Sequence, residues 1–199
     1  MDPANFTRQI SGTLVALAIG LGLGGVSAWY ALQQSHGLGG ISVGEWAAWP
    51  FTGGKDADPY TVAKVARNGT IPLGATEGLA FEARVDNQGR DLDLACDYSV
   101  SGVTPPSKLW TIVAYGRGGE PVTPSPAGTS SLYSGDVLRF PDGSFRINVS
   151  RRPRAENWLA ISGSGTFHLV LRVYDTPITS TTGLARPQMP VIIRGECHE

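Results

Sequence analysis

From Gln9 to Gly44 the chain contains no Asp, Glu, Lys or Arg. A run this long without formal charge is foreign to the surface of a water-soluble domain, where charged side chains hold much of the exposed area. Basic excess is missing as well: 16 Lys and Arg stand against 17 Asp and Glu, a net charge of -1. That balance argues against the general electrostatic attraction used by nucleic-acid binders, so no nucleic-acid partner is expected. Histidine is scarce, with His36, His168 and His198 scattered along the chain. No Cys, His and carboxylate spacing suggests zinc, and neither a metal nor another cofactor is expected. Also missing is any constellation that combines a nucleophile, a base and a group to orient them.

The uncharged stretch holds a continuous apolar or small run, Ile10 to Leu32 (ISGTLVALAIGLGLGGVSAWYAL). As a helix it would extend roughly 34 Å, enough to cross a hydrocarbon core of about 30 Å with slight tilt. Arg8 precedes it, and no Lys or Arg follows until Lys55, so the positive-inside rule leaves the N-terminus in the cytoplasm. Trp29 and Tyr30 read as the outer aromatic belt. The competing reading is a signal peptide cleaved after Val26-Ser27-Ala28. Either way the remainder is exported. The expected organisation is a cytoplasmic N-terminus (1–9), a transmembrane anchor in the inner membrane (10–32), a Gly-rich linker (33–57) and an exported domain (58–199). Within the anchor, Gly12, Ala16, Gly20, Gly24 and Ala28 recur every fourth residue. Small residues at that spacing let another helix backbone approach, so self-association or docking on a membrane protein is expected through this face.

The two cysteines, Cys96 and Cys197, both fall on the exported side, where disulfides form and persist. In Asp91 to Val100, alternation places Leu92, Leu94, Cys96, Tyr98 and Val100 on one face and Asp91, Asp93 and Asp97 on the other. Cys96 then points inward and Cys197 can tie down the C-terminus; two unpaired thiols are the alternative. One short helix is expected after Asp58, a good N-cap, with Pro59 at the first helical position and Val62, Ala63 and Ala66 along one face. Beyond Gly69 the period becomes two. Strands are expected at 79–85, 92–100, 109–115, 137–140, 144–150, 158–162, 166–174 and 191–194, separated by turn sequences such as Asp86-Asn87-Gln88-Gly89 and Ser162-Gly163-Ser164-Gly165. Pro121 to Ser131 reads as a surface loop. The expected fold is all-β, a sandwich, jelly roll or barrel behind one membrane helix and one short α-helix.

The blocks Ser131-Leu132-Tyr133-Ser134-Gly135-Asp136, Pro141-Asp142-Gly143-Ser144, Asn157-Trp158-Leu159 and Phe167 to Pro177 (FHLVLRVYDTP) resemble, in order and spacing, the bacterial domain of unknown function 1214 family. The resemblance is specific over Ser131 to Pro177 and weaker over Gly69 to Tyr115. It implies a jelly-roll-like β-sandwich, often found as the C-terminal half of longer proteins behind a domain of the 1254 type. This chain departs from that layout, with a membrane segment in place of the partner domain. The family brings no established catalytic residues.

Chemistry therefore rests on the residues. Gly40-Ile41-Ser42-Val43-Gly44 matches the nucleophile-elbow pattern, which needs a strand before and a helix after it; in a Gly-rich linker it reads as chance. Asp91, Asp93 and Asp97 read as a solvated acidic face, with Ca²⁺ the sharper alternative. Arg146, Arg151, Arg152 and Arg154 cluster near one strand end, where Pro153 suggests an exposed hairpin turn. With Tyr133 they form a candidate anion or ligand contact for a phosphate, an acidic glycan or a lipid headgroup. Trp110 and Trp158 read as core, and Trp46 and Trp49 as packed under the domain or resting at the bilayer interface. The leading expectation is a non-catalytic envelope module, with a carbohydrate- or small-ligand-binding sandwich as the alternative and an enzyme third.

Overall fold

The computed structural model describes residues 3–33, 40–50, 52–54, 57–68, 72–74, 77–124, 128–177 and 187–198. His36 and parts of the expected linker fall outside them. Helix α1 (Pro3–Gln33) contains the whole apolar run. Its segment Gly12–Tyr30 has a mean hydropathy of 1.6 and is exposed along its length apart from the half-buried Ala28. By length and composition it can cross a membrane; a signal sequence would meet the same description. Helix α2 (Pro59–Asn68) begins as expected, with Asp58 accepting from the Thr61 amide (3.1 Å) and from the Thr61 hydroxyl. Val62, Ala63 and Ala66 are exposed.

Two sheets make up the rest. The first is antiparallel throughout, with strand order β1 (Ile41–Val43), β2 (Trp46–Ala48), β3 (Gly78–Ala83), β9 (Phe167–Tyr174), β5 (Leu109–Gly116) and β6 (Ser131–Tyr133). The second has the order β10 (Val191–Cys197), β4 (Cys96–Gly102), β7 (Phe145–Ser150) and β8 (Asn157–Ala160). Their inward residues form one core, in which Trp46, Phe81, Trp110, Ile112, Leu169 and Leu171 of the first sheet meet Tyr98, Val100, Phe145, Ile147, Val149, Leu159 and Ile192 of the second. This is an all-β sandwich, as the period-two pattern requires.

Four expectations change. The stretch read as linker contains the β1–β2 hairpin, closed by the two-residue turn Gly44-Glu45, with Gly44 at φ 59°. A Gly at positive φ in such a turn matches the right-handed twist of its strands. Ser42 therefore sits exposed on a short edge strand followed by a strand, and the nucleophile-elbow geometry is absent. Second, 137–140 is not a ladder strand, because the Asn157 side chain takes over Leu138: Oδ1 accepts from its amide (2.7 Å) and Nδ2 donates to its carbonyl (2.9 Å). Third, β4 starts at Cys96, since Asp93 folds 93–96 into a turn; its side chain accepts from the Ala95 amide (2.8 Å) and its carbonyl from the Cys96 amide (3.0 Å). The inward phase survives, and Leu92, Leu94, Cys96, Tyr98 and Val100 are all buried. Fourth, 151–156 is not a hairpin end. β7 and β8 are parallel, with Ile147 opposite Asn157, so those residues run back along β7, held by Asn148 Nδ2 donating to the Ala155 carbonyl (2.9 Å). A connection this short is uncommon for parallel strands; here it serves because β8 is only 4 residues long.

Cys96 and Cys197 are joined in a disulfide, directly opposite one another on β4 and β10. The free edge of β10 is blunted by a register shift between Arg194 and Cys197 and by the Asn87 amide, which donates to the Ile192 carbonyl (2.8 Å). Such devices discourage pairing with a second chain.

Candidate functional site

The polar side chains that the fold gathers lie on the outer face of the first sheet and at the neighbouring end of the sandwich. Tyr115 on β5 is the cross-strand partner of His168 on β9, and their rings stack with centroids 5.7 Å apart. Arg172, on the same face of β9, lies 5.4 Å over the Tyr115 ring and donates to its Oη (3.1 Å). His168 Nε2 is 4.0 Å from Glu82 Oε1, a carboxylate that also pairs with Arg84. Burial pushes the His168 pKa below its ordinary 6.5, Glu82 and Glu120 pull it up, and Arg84 adds to the lowering. The ring is thus neutral at pH 7, and its contact with Glu82 is not an ion pair. Nδ1 has no hydrogen-bond partner among the described residues. A neutral imidazole against a tyrosine ring and a carboxylate has a base but no nucleophile aligned to it.

Beside this face, the turn after β5 and the loop before β9 border an open cleft of about 450 Å³, lined by Arg117, Glu120, Thr123, Ser162, Ser164 and Thr166, among others. Both walls are fixed. The turn is closed by the Gly116 amide donating to the Glu120 carbonyl (2.8 Å) and the Gly119 amide to the Gly116 carbonyl (3.1 Å). A Cβ at Gly116 or Gly118 would meet the Glu120 carboxylate, the far end of a flexible side chain folded back over its own turn. In the opposite wall Gly163 and Gly165 adopt φ of 100° and 91°. Arg151 pins this wall, donating through Nε to the Leu94 carbonyl (2.9 Å) and through its terminal nitrogen to the Gly163 carbonyl. At the floor the Ser162 hydroxyl donates to the Thr123 carbonyl (2.5 Å), joining the walls.

The residues singled out in the sequence are not assembled into one site. Arg151 belongs to the cleft wall. Arg154 pairs with Asp97 (2.6 Å), which His198 also approaches (3.4 Å). Arg146 lies 5.8 Å over the Phe140 ring, and Arg152 is exposed. Tyr133 is on the other sheet, where its hydroxyl bonds Asp136 and its pKa is raised by that contact. The acidic trio is likewise divided: Asp91 is exposed, Asp93 caps a turn and Asp97 is paired. No group of three metal-ligating side chains comes together among the described residues. Trp46 and Trp110 are core, while Trp49 and Trp158 are half-buried. Gly12, Gly20 and Gly24 have nothing packed against them and Ala16 is exposed, leaving the small-residue stripe of α1 open except at the half-buried Ala28. What sequence reasoning missed was the cleft. Its two glycine-rich segments were visible as turns, but only the pairing of β5 with β9 sets them side by side.

A two-sheet β-sandwich with a polar end cleft behind an apolar helix is the class of protein that fold and site define. The model of the family described as "Protein of unknown function (DUF1214)" matches residues 77–178, and the chain belongs to that family. Among solved structures the fold is similar to the VPA0106 protein from Vibrio parahaemolyticus, at 21% identity and a TM-score of 0.56, over 71% of this chain and 36% of that one. A putative uncharacterized protein from Burkholderia cenocepacia is matched at 24% identity and a TM-score of 0.43, over 65% of this chain and 33% of that one. The chain thus spans about a third of the length of these two. No curated protein matches it.

Proposed function

We propose that this protein is a non-catalytic accessory module of the bacterial cell envelope, a β-sandwich held at the outer face of the inner membrane by the helix over 10–32. The observation that carries the reading is the Cys96–Cys197 disulfide. Such bonds persist in oxidising compartments and are rare in the cytosol, so the sandwich belongs outside. The apolar run of α1 supplies the route, and an apolar helix this exposed gains by entering lipid. An interaction role is favoured over catalysis because the buried His168 ring faces Tyr115 and Glu82 rather than an activated nucleophile. The helix docks on a second membrane helix through Gly12, Ala16, Gly20, Gly24 and Ala28.

Topology tests this directly. A C-terminal alkaline phosphatase fusion is expected to be active, and protease added to spheroplasts is expected to digest the sandwich while leaving the N-terminus protected. A cytoplasmic C-terminus would overturn the reading. A mature chain beginning at Trp29 would replace the anchored module with a released one.

A further inference from the structure

We infer that the cleft between 116–123 and 162–166 binds a neutral saccharide. The inference deepens the interaction-module reading and rests on it. The lining mixes donors and acceptors: the Arg117 guanidinium and the Glu120 carboxylate, with Thr123, Ser162, Ser164 and Thr166 adding hydroxyl-bearing side chains and the glycines exposing backbone. A polyhydroxylated ring presents donor and acceptor at each hydroxyl, and carboxylate, guanidinium and amide groups are its complementary partners. An anion fits less well, because Glu120 offsets Arg117 in the same space. An apolar ligand would leave those two charged groups desolvated without compensation.

The cleft is also built in advance of any ligand. Arg151, spent on two carbonyls of the far wall, and the Ser162–Thr123 bond at the floor hold the loops that would otherwise lose freedom on binding. At about 450 Å³ and open to solvent, the space falls within the usual range for small-molecule sites and admits one end or a short segment of a longer chain.

The test uses the full-length chain in a zwitterionic detergent without a sugar headgroup. Titration calorimetry would be run with maltotetraose, cellotetraose, a tetramer of N-acetylglucosamine and inorganic phosphate. Saturable binding of at least one saccharide is expected, weakened more than tenfold by Glu120→Gln and by Arg117→Ala, with Tyr133→Ala and Arg146→Ala unchanged. Both cleft substitutions are on exposed side chains, and an unchanged thermal midpoint shows that they spare the fold. Binding of phosphate alone, binding indifferent to the cleft substitutions, or no binding across the panel would each overturn the assignment. Any of these leaves the topology result intact, so failure of the cleft is distinguishable from failure of the envelope reading.

Discussion

At the scale of single residues, covalent and electrostatic ties concentrate where β4 meets β10. The disulfide there closes a loop with a sequence separation of 101. In the chain-entropy picture such a closure contributes up to about 4 to 5 kcal/mol. Replacing both Cys96 and Cys197 with Ala is expected to lower the unfolding free energy by several kcal/mol, measured by urea titration of the full-length protein; an unchanged midpoint would contradict it. Buried Asp86 accepts from the amides of Gln88 (2.9 Å) and Arg90 (3.0 Å) and from the Arg90 guanidinium (2.8 Å), and Arg194 of β10 stands 3.3 Å away as an ion-pair partner. Burial alone would raise the Asp86 pKa, but the hydrogen bonds and charge of Arg90 and the Gln88 amide outweigh it and hold it below the ordinary 3.8. The sequence shows Asp86 as a turn residue; Arg194 is too distant along the chain for local pattern to reveal. His168 carries the neutral-range pH dependence. Its folded pKa lies below the unfolded 6.5, so the unfolded state binds the proton first and stability falls as pH drops from about 6.5 through the folded value. Thermal midpoints of wild type and His168→Gln measured from pH 8 to pH 5 are expected to show that decline in the wild type and to lose much of it in the variant.

Elements were legible where a hydrophobic alternation ran long enough. β3, β5, β7, β9 and β10 were visible because 6 to 8 residues of period two leave little ambiguity. β1 and β2, at 3 residues each, fell below that length and hid among glycines. Gly44 between Ile41/Val43 and Trp46/Ala48 was the signal that would have found them. Residues 137–140 misled for the opposite reason: they look strand-like, yet a side-chain amide takes both backbone groups of Leu138 and only an isolated bridge at Arg139 remains. In α1 the open stripe gives the expected contact its test. Gly20→Ile with Gly24→Ile is expected to abolish helix association in a membrane two-hybrid assay, whereas Leu21→Ile with Leu23→Ile leaves it intact. Equal behaviour of the two pairs would reduce α1 to a tether.

The whole molecule is joined across its sequence by Trp46, fully buried and donating through Nε1 to the Pro190 carbonyl (2.7 Å). Trp46→Ala is expected to cost about 3 to 5 kcal/mol in unfolding free energy, read by chemical denaturation, with Trp46→Phe losing less because bulk is kept. Trp46 packs under the domain as expected; its bond to Pro190 and the cleft were illegible because both depend on which distant segments become neighbours. The hairpin bearing Trp46 also sets how the domain answers a pull. A force entering from α1 reaches the sandwich first at β1, a three-residue strand bonded to β2 alone. Its hydrogen bonds give way in turn, like a zip, before Trp46 is loaded. At the other terminus the S–S bond clamps β10 to β4, so tension there meets a covalent stop. The fold is mechanically lopsided, with a yielding hem at β1 and a covalently locked C-terminal end.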